Sequence, residues 1–249
     1  MAMWRGVMLA LQFLTVFPLR MQVDWNERTA RVAVLSFPFV GAIIGLFLVA
    51  IHVVLSDHIS SLVLSFLLLF FSIFLSGGLH ADGWMDCSDA YFSYRDRQRR
   101  LDIMSDSRVG AFAVLSILFL LGFRFIFMFE TVSHMSLFSL FCIPLFSRFG
   151  MTLLLLTTPL AKQTGMAAAF RQHVDHRYAP FLVVYGLIAL LSFETIVLFL
   201  SLMLYYVVAR VFAIKQFGGM TGDVLGAFIE GSETCLWLVI WLLHIFAIL

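Results

Sequence analysis

The chain has 249 residues, of which 62% are hydrophobic and 12% charged, and its formal net charge is +1. Soluble domains carry about 25% charged residues, so this chain has too few to cover a water-exposed surface. The composition excludes a soluble globular protein and predicts one integral-membrane domain over residues 1–249. We expect an all-α, polytopic membrane helix bundle of about six or seven transmembrane or re-entrant helices. We expect no nucleic-acid partner.

The predicted elements begin with an apolar run that no small-residue cleavage site follows. We interpret residues 1–19 as a retained interfacial or re-entrant helix rather than a signal peptide. Because a transmembrane helix needs about 20 apolar residues, four further segments qualify as spans. They are residues 33–55, 60–79, 109–129 and 135–160. A fifth run, 181–209, is interrupted by Glu194, and a short sixth run covers 235–249.

Lys and Arg are unevenly distributed between these runs. The rich segments are residues 1–32, 80–108, 161–180 and 210–234, and the links 56–59 and 130–134 contain neither residue. The positive-inside rule therefore places the rich segments in the cytoplasm and the two bare links outside. The run 181–209 must then cross an even number of times, which favours a re-entrant hairpin that turns near Glu194. One long tilted helix is the alternative.

The segment 80–108 holds 11 of the chain's 31 formally charged residues. Asp82, Asp86 and Asp89 follow the spacing i, i+4, i+7, which puts three carboxylates on one face of a helix. Like charges at this spacing repel unless a cation lies among them, and Mg²⁺ commonly bridges carboxylates to substrate phosphates. The pattern predicts Mg²⁺-assisted phosphoryl or diphosphate chemistry. A solvated acidic helix face is the alternative, although interleaved aromatic residues argue against it.

A second unusual stretch is FGGMTGDVLGAFIEGSE, residues 217–233. Its glycines, Gly219 and Gly222 among them, predict a flexible turn with free backbone N–H groups. Thr221 and Asp223 lie where a predicted helix begins, and the dipole of a helix N-terminus suits a phosphate. An ordinary N-cap at Asp223 is the alternative. Glu230 belongs to the same group because carboxylates are rare in this apolar chain.

Two arginines and two histidines stand out elsewhere. Arg148 is predicted near the middle of its span, where a charge costs at least ~2.5 kcal/mol and needs a polar cavity or a partner. Glu194 and a substrate phosphate are the two candidate partners. Arg124 lies nearer the end of its span, and we expect it to extend its charge to the interface. His173 and His176 have a loose metal-ligand spacing, but the case for zinc is weak because no third nitrogen or sulfur ligand accompanies them.

Four stretches together resemble one family. The run SGGLHADGWMDCSDAYFSYRDRQRRLDIMSDSRVGAF is similar to the signature of the cobalamin synthase family, the adenosylcobinamide-GDP ribazoletransferases. In that family G-G-L-H-x-D-G-x-x-D-x-x-D-G leads into R-D-R-x-R-x-L-x-I-M-K-D-S-R-x-G-A-F. The stretches LQFLTVFPLR, SRFGM and GGMTGDVLGAFIEGSE also fit. Ala90 and Ser105 depart from the pattern, which has Gly and Lys there, and YFSYR replaces a glycine-rich segment.

The resemblance implies a reaction and a location. A hydroxyl of α-ribazole, or of its 5′-phosphate, attacks the phosphorus joined to cobinamide in adenosylcobinamide-GDP, and GMP leaves. The family is Mg²⁺-dependent and spans the bilayer of a bacterial or archaeal cytoplasmic membrane several times. Its active site is expected to face the cytoplasm. A homo-oligomer is compatible with the sequence, which does not define the oligomeric state.

The resemblance also implies roles for individual residues. The implied Mg²⁺ ligands are Asp82, Asp86, Asp89 and Asp106, and the candidate bases are Asp89 and Asp223. The candidates for binding substrate or phosphate are His80, Arg108, Arg148, Gly219, Thr221, Gly222 and Glu230. Trp84, Tyr91 and Tyr94 are candidates for stacking on the guanine or benzimidazole ring.

Three other functions stay open at this point. An intramembrane prenyltransferase would need a second, similarly spaced Asp motif, and residues 217–233 offer one Asp. A CDP-alcohol phosphotransferase would need a DG-x-x-A-R element, which DGWMDC does not match. A secondary transporter could use Arg148 and Glu194 as an ion path across the membrane.

Overall fold

The computed structural model describes residues 2–246, which are predominantly helical. Twelve α-helices lie in this range: α1 (Ala2–Leu14), α2 (Glu27–Leu35), α3 (Phe37–Leu55), α4 (Ser61–Phe74), α5 (Leu79–Phe92), α6 (Arg97–Met104), α7 (Ala111–Thr131), α8 (Leu137–Thr157), α9 (Met166–Arg171), α10 (Val183–Gly186), α11 (Phe193–Phe217) and α12 (Gly222–Ile245). Two 3-10 helices, His176–Leu182 and Leu187–Leu191, flank α10. The predicted all-α fold is confirmed.

Five of these helices, α3, α7, α8, α11 and α12, are long and apolar enough to cross a membrane. A sixth crossing is broken, because α4 and α5 meet at 83°. Gly77 and Gly78 make this bend with φ angles of 65° and 73°, which residues with side chains rarely adopt. The predicted span 60–79 therefore ends early, at Phe74. This helix count agrees with the predicted polytopic bundle.

The bare links and the charged segments lie at opposite ends of the bundle. Across the two links, His52 Nε2 lies 2.9 Å from the Val132 carbonyl oxygen, and the hydroxyls of Ser61 and Ser133 are 2.7 Å apart. At the other end, the segment after α8 pairs with the segment after α11. The charged helix α6 joins them there, since Arg100 Nη1 donates to Gln216 Oε1 over 2.6 Å. We call the end of the bundle at which these charged segments meet the site end.

The run 181–209 turns near Glu194, as predicted, but α11 is long enough to cross the membrane, so the hairpin is not the re-entrant one that was predicted. The run breaks at Ser192, whose backbone is extended, two residues before Glu194. The arm before the break comprises residues 176–191, and the arm after it is α11, with 25 residues. The two arms extend beyond the predicted run at both ends, from His176 to Phe217. Glu194 lies beside Ser139, near the start of α8.

Helices α1 and α12 lie at the two ends of the chain. The predicted helix within residues 1–19 is present as α1, whose 13 residues are too few to span. The predicted run 235–249 starts too late, because α12 begins at Gly222. The first half of α12 contains Asp223, Glu230 and Glu233, so its sequence is not a continuous apolar run. Met1 and residues 247–249 lie outside the described residues.

Helix α8 runs through the centre of the bundle. Its residues 142–152 are all buried. Two glycines of α3 allow this, since a Cβ on Gly41 would lie 2.3 Å from the Pro144 carbonyl oxygen and one on Gly45 2.4 Å from that of Phe141. The backbones of α3 and α8 therefore pack in direct contact, as small residues permit between membrane helices.

A buried network of four charges links α7, α8 and α12. Arg124 Nη2 lies 2.7 Å from Glu230 Oε2, and its Nη1 lies 3.3 Å from Glu233 Oε2. Arg148 forms an ion pair with the other carboxylate oxygen of Glu233. The four side chains are between 1% and 6% exposed. Two cations thus balance two anions, which is how charges are tolerated at membrane depth.

This network corrects three predictions. Arg124 does not reach the interface but is buried against Glu230. Arg148 pairs with Glu233 and not with Glu194. The charges of Arg148 and Glu230, which we expected to meet substrate or phosphate, are already engaged by protein partners. Arg148 and Glu233 are 85 residues apart in the chain, and Arg124 and Glu230 are 106 apart. No local sequence pattern therefore reveals these pairs.

We expect Glu233→Gln to destabilise the fold strongly, because it removes the carboxylate that contacts both arginines. Breaking a buried ion pair from one side typically costs about 3–5 kcal/mol. The unfolding temperature of the protein in detergent micelles measures this loss. Glu130→Gln, at the exposed end of α7, is the matched control and should leave that temperature unchanged. Equal unfolding temperatures for both variants would show that the network is not structural.

Candidate active site

Helices α5 and α12 cross in close contact at the site end. A Cβ on Gly83 would lie 2.6 Å from the Asp223 carbonyl oxygen, and one on Gly226 would lie 3.2 Å from the His80 Cα. Side chains at either position would push the two helices apart. This crossing brings Asp82 and Asp86, from the segment 80–108, next to Asp223, from the stretch 217–233.

Helix α5 has 14 residues, which is too few to span the membrane by itself, and it lies across the ends of three other helices. Near its start it meets the beginning of α12 at Asp223. Near its end, Asp89 contacts the beginning of α7 at Gly110. The ring of Tyr91 lies 5.1 Å from that of Phe212, near the end of α11. The motif carboxylates are therefore held at the rim of the bundle, next to the charged loops.

Asp82 and Asp223 line one cavity at the crossing, and the charge of each acts on Asp86 nearby. Asp82 is exposed, whereas Asp86 and Asp223 are half-buried. Burial and the negative charges of Asp82, Asp223 and Asp89 raise the pKa of Asp86 to about 7. When neighbouring carboxylates disfavour the charged form of a carboxyl group, a bound cation stabilises that charged form. Asp223, a candidate base in the sequence, thus lies near Asp82 and Asp86.

The other two predicted metal ligands have different partners. Asp89 caps α7, since its carboxylate accepts hydrogen bonds from the N–H groups of Gly110 (2.5 Å) and Ala113 (2.8 Å). Asp106 accepts from Arg108 Nη2 over 2.6 Å, and this guanidinium lowers the pKa of Asp106 to about 2. The predicted set of four aspartates is thus divided between different structural tasks.

Among residues 2–246, no three His, Cys, Asp or Glu side chains lie close enough to form a metal site by themselves. This includes His173 and His176, the weak zinc candidates. The carboxylates at the crossing nevertheless suit Mg²⁺, which is bound by one or two carboxylates and takes its other ligands from water and substrate phosphates. The donor set therefore fits a Mg²⁺ that is completed by a phosphorylated substrate.

A cavity of about 220 Å³ opens beside these carboxylates. One part of its wall is polar and contains Asp82, Asp223 and Lys162, and another part is apolar and aromatic. His80 lines it as well and is only 2% exposed, and neither of its ring nitrogens has a hydrogen-bond partner. A buried imidazole without protein partners is suited to a polar ligand. The prediction that His80 contacts substrate fits this position.

Lys162 is a site residue that the sequence did not reveal. It lines the cavity, and its Nζ donates to Ser105 Oγ over 3.1 Å. Ser105 stands where the family's pattern has Lys, and the Lys162 ammonium group lies next to it. No local pattern marks this lysine, because it lies just after α8 in an ordinary loop.

The glycine-rich turn before α12 has mainly structural tasks. Gly219 has a φ of 147°, and a Cβ there would lie 2.2 Å from the Pro159 carbonyl oxygen. Thr221 caps α12 by accepting a hydrogen bond from the Val224 N–H over 3.2 Å. Gly222 does line the cavity, and a Cβ there would meet no atom within 4 Å. Of these three candidates, Gly222 is the one placed to face a ligand.

Four further candidates lie away from this cavity. Arg108 is 88% exposed and paired with Asp106 on the loop before α7. Tyr94 is 81% exposed. Trp84 and Tyr91 line a separate apolar cavity of about 310 Å³ between α5, α11 and α12. Their predicted contacts with substrate rings stay predictions, and the structure places none of them beside Asp82 and Asp223.

Comparison with known proteins gives the family. The sequence model of cobalamin-5-phosphate synthases matches residues 6–241. The chain is 54% identical to the adenosylcobinamide-GDP ribazoletransferase of Geobacillus sp. (strain WCH70), with 98% of this chain and 97% of that protein covered. It is 48% identical to that of Geobacillus thermodenitrificans (strain NG80-2), with 97% of each covered. The identity is 35% for that of Acinetobacter baumannii (strain ACICU), with 92% and 93% covered.

No solved structure matches the chain. The family model nevertheless extends over both aspartate-bearing segments and the helices that carry them. Together with relatives that align over nearly their whole length, this match confirms the resemblance inferred from the motifs. The chain belongs to the cobalamin-5-phosphate synthase family.

Proposed function

We propose that this protein is an adenosylcobinamide-GDP ribazoletransferase. It transfers the phosphocobinamide part of adenosylcobinamide-GDP to a hydroxyl of α-ribazole, or of its 5′-phosphate, and releases GMP. The observation that carries the proposal is that Asp82 and Asp223 line one cavity where α5 crosses α12, in a chain of this family. The product is adenosylcobalamin or its 5′-phosphate.

The reaction is a displacement at phosphorus. The hydroxyl oxygen of α-ribazole forms a bond to the phosphorus that carries cobinamide, while the bond from that phosphorus to the bridging oxygen breaks. The bridging oxygen leaves with GMP, and the hydroxyl gives up its proton. Such transfers depend mainly on positioning of the two substrates and on stabilisation of negative charge.

The residues at the crossing divide these tasks. Asp82 and Asp86 would hold Mg²⁺ on the diphosphate, and the ion would supply charge neutralisation at the phosphate oxygens. Lys162 supplies a cationic donor from the opposite loop, and His80 offers an unpaired ring nitrogen to the substrate. Of the two predicted bases, Asp89 already accepts hydrogen bonds from two backbone N–H groups at the start of α7. Asp223 is therefore the group that accepts the hydroxyl proton.

We also propose that the site end faces the cytoplasm of a bacterial cell, across the cytoplasmic membrane. Support comes from the distribution of Lys and Arg, which gather in the segments that meet at the site end and are missing from the two links at the other end. The family match weighs against the three competing functions. A transporter path is further disfavoured because Arg148 pairs with Glu233 instead of Glu194.

Asp82→Asn and Asp86→Asn test the carboxylate site. We expect each to lower GMP release from adenosylcobinamide-GDP at least about 100-fold, as when a group that stabilises developing charge is lost. Membrane insertion should not change, and the unfolding temperature should not fall, because each substitution removes a carboxylate that repels its neighbours. Asp24→Asn, whose carboxylate is 80% exposed, is the control with normal turnover. Full activity in the Asp86→Asn variant would remove Asp86 from the site.

Metal dependence is tested by chelation. We expect EDTA to abolish GMP release by the wild-type protein and Mg²⁺ to restore it. The Asp86→Asn variant should need a higher Mg²⁺ concentration for half of its own maximal rate, because it offers one carboxylate fewer. Turnover that persists in EDTA would contradict the proposed Mg²⁺ and leave the transferase assignment in place.

Gly83→Ala tests whether the close crossing is needed. The added methyl group would lie 2.6 Å from a backbone oxygen of α12, so the helices must separate and the carboxylates move apart. We expect a loss of GMP release of at least about tenfold, since small misplacements of reacting groups are costly. Gly122→Ala on α7 is the control, because a Cβ there meets no atom within 4 Å. Equal turnover in the two variants would be evidence against the crossing as the organising feature.

A further inference from the structure

We propose that the apolar part of the cavity wall binds the benzimidazole ring of α-ribazole, so that the ribose hydroxyl is presented to Asp223. This inference deepens the proposed function and rests on it. It assigns a binding site for the attacking nucleoside, as distinct from the diphosphate that it attacks. The assignment follows from the chemistry of the wall, from the size of the cavity and from its continuity with the carboxylates.

The apolar part of the wall is built around three phenylalanines from separate elements. Phe13 belongs to α1, Phe37 begins α3, and Phe170 lies on α9. The ring of Phe170 lies 5.2 Å from that of Phe13 and 5.5 Å from that of Phe37. Phe37 and Phe170 are each 1% exposed, whereas Phe13 is half-buried and is the ring of the three that a ligand can contact. The two buried rings hold Phe13 in place, and another aromatic ring can pack on its free face.

This lining distinguishes between the two aromatic rings of the substrates. Guanine carries an exocyclic oxygen, an amino group and a ring N–H, all of which need hydrogen-bond partners when buried. The neighbouring side chains Met151 and Leu155 are apolar and offer none. The dimethylbenzimidazole of α-ribazole has two methyl groups, no donor and a single free ring nitrogen. An apolar, aromatic wall therefore favours benzimidazole over guanine.

Size and continuity support the same assignment. A cavity of about 220 Å³ is of nucleoside size, whereas the much larger corrinoid must approach from outside it. Asp82, Asp223 and the three phenylalanines line this one cavity. A nucleoside whose base packs on the phenylalanines thus has its ribose next to the carboxylates. The assignment also gives a task to α1 and α9, which are too short to span the membrane.

The experiment compares the two substrates in one variant. We expect Phe170→Ala to raise KM for α-ribazole at least about tenfold, as for a lost hydrophobic contact in a specificity pocket. KM for adenosylcobinamide-GDP should stay within about twofold, because the corrinoid and guanine bind elsewhere. Phe119→Ala, on the exposed face of α7, is the matched control and should change neither value.

A second readout measures the preference for the base. The wild-type protein should prefer α-ribazole to the α-linked adenine nucleoside, and Phe170→Ala should lower that ratio. Should Phe170→Ala fail to fold, α-ribazole alone can be tested for raising the unfolding temperature of the wild-type protein, as a ligand of the native state does. Phe13→Ala should then reduce that rise.

The outcomes separate this inference from the proposed function. If Phe170→Ala raises KM for adenosylcobinamide-GDP and leaves that for α-ribazole unchanged, the wall holds the guanosine part and the inference is wrong. Unchanged values for both substrates overturn it as well. Absence of GMP release by the wild-type protein would refute the proposed function itself, and this is seen before any variant is made.

Discussion

The close contact between α5 and α12 is the constraint on which the site depends. Gly83 and Gly226 allow backbone to approach backbone, and the approach sets Asp82 and Asp86 against Asp223. These carboxylates repel one another, so the crossing is maintained by packing and not by the site itself. The site therefore has a structural cost, which a bound cation can relieve.

The buried charges of the core are part of the same arrangement through α12. Glu230 follows Asp223 by seven residues, about two helical turns, so both lie on one face of α12. Asp223 lies at the cavity end of that face, and at its core end Arg124 and Arg148 neutralise Glu230 and Glu233. Because the arginines come from α7 and α8, the network fixes the rotation and depth of α12. It thereby fixes where Asp223 meets α5.

The sequence predicted what depends on local pattern and missed what depends on distant partners. Hydropathy gave four spans and the break near Glu194, and the distribution of Lys and Arg grouped the segments that meet at one end. The start of α12 was missed because its carboxylates resemble a charged loop until their arginine partners are known. Lys162 was missed for the same reason, since only the fold brings it to Ser105.

The three-aspartate motif shows how one pattern can serve two tasks. Helical spacing places Asp82, Asp86 and Asp89 on one face, and this much follows from the sequence. Since α5 lies across the ends of several helices, successive turns of that face meet different neighbours. Asp82 lines the cavity and Asp86 lies near Asp223 of α12. Asp89 instead accepts hydrogen bonds from the free N–H groups at the N-terminus of α7. The third carboxylate therefore holds α5 in place for the other two, and a count of motif aspartates is not a count of metal ligands.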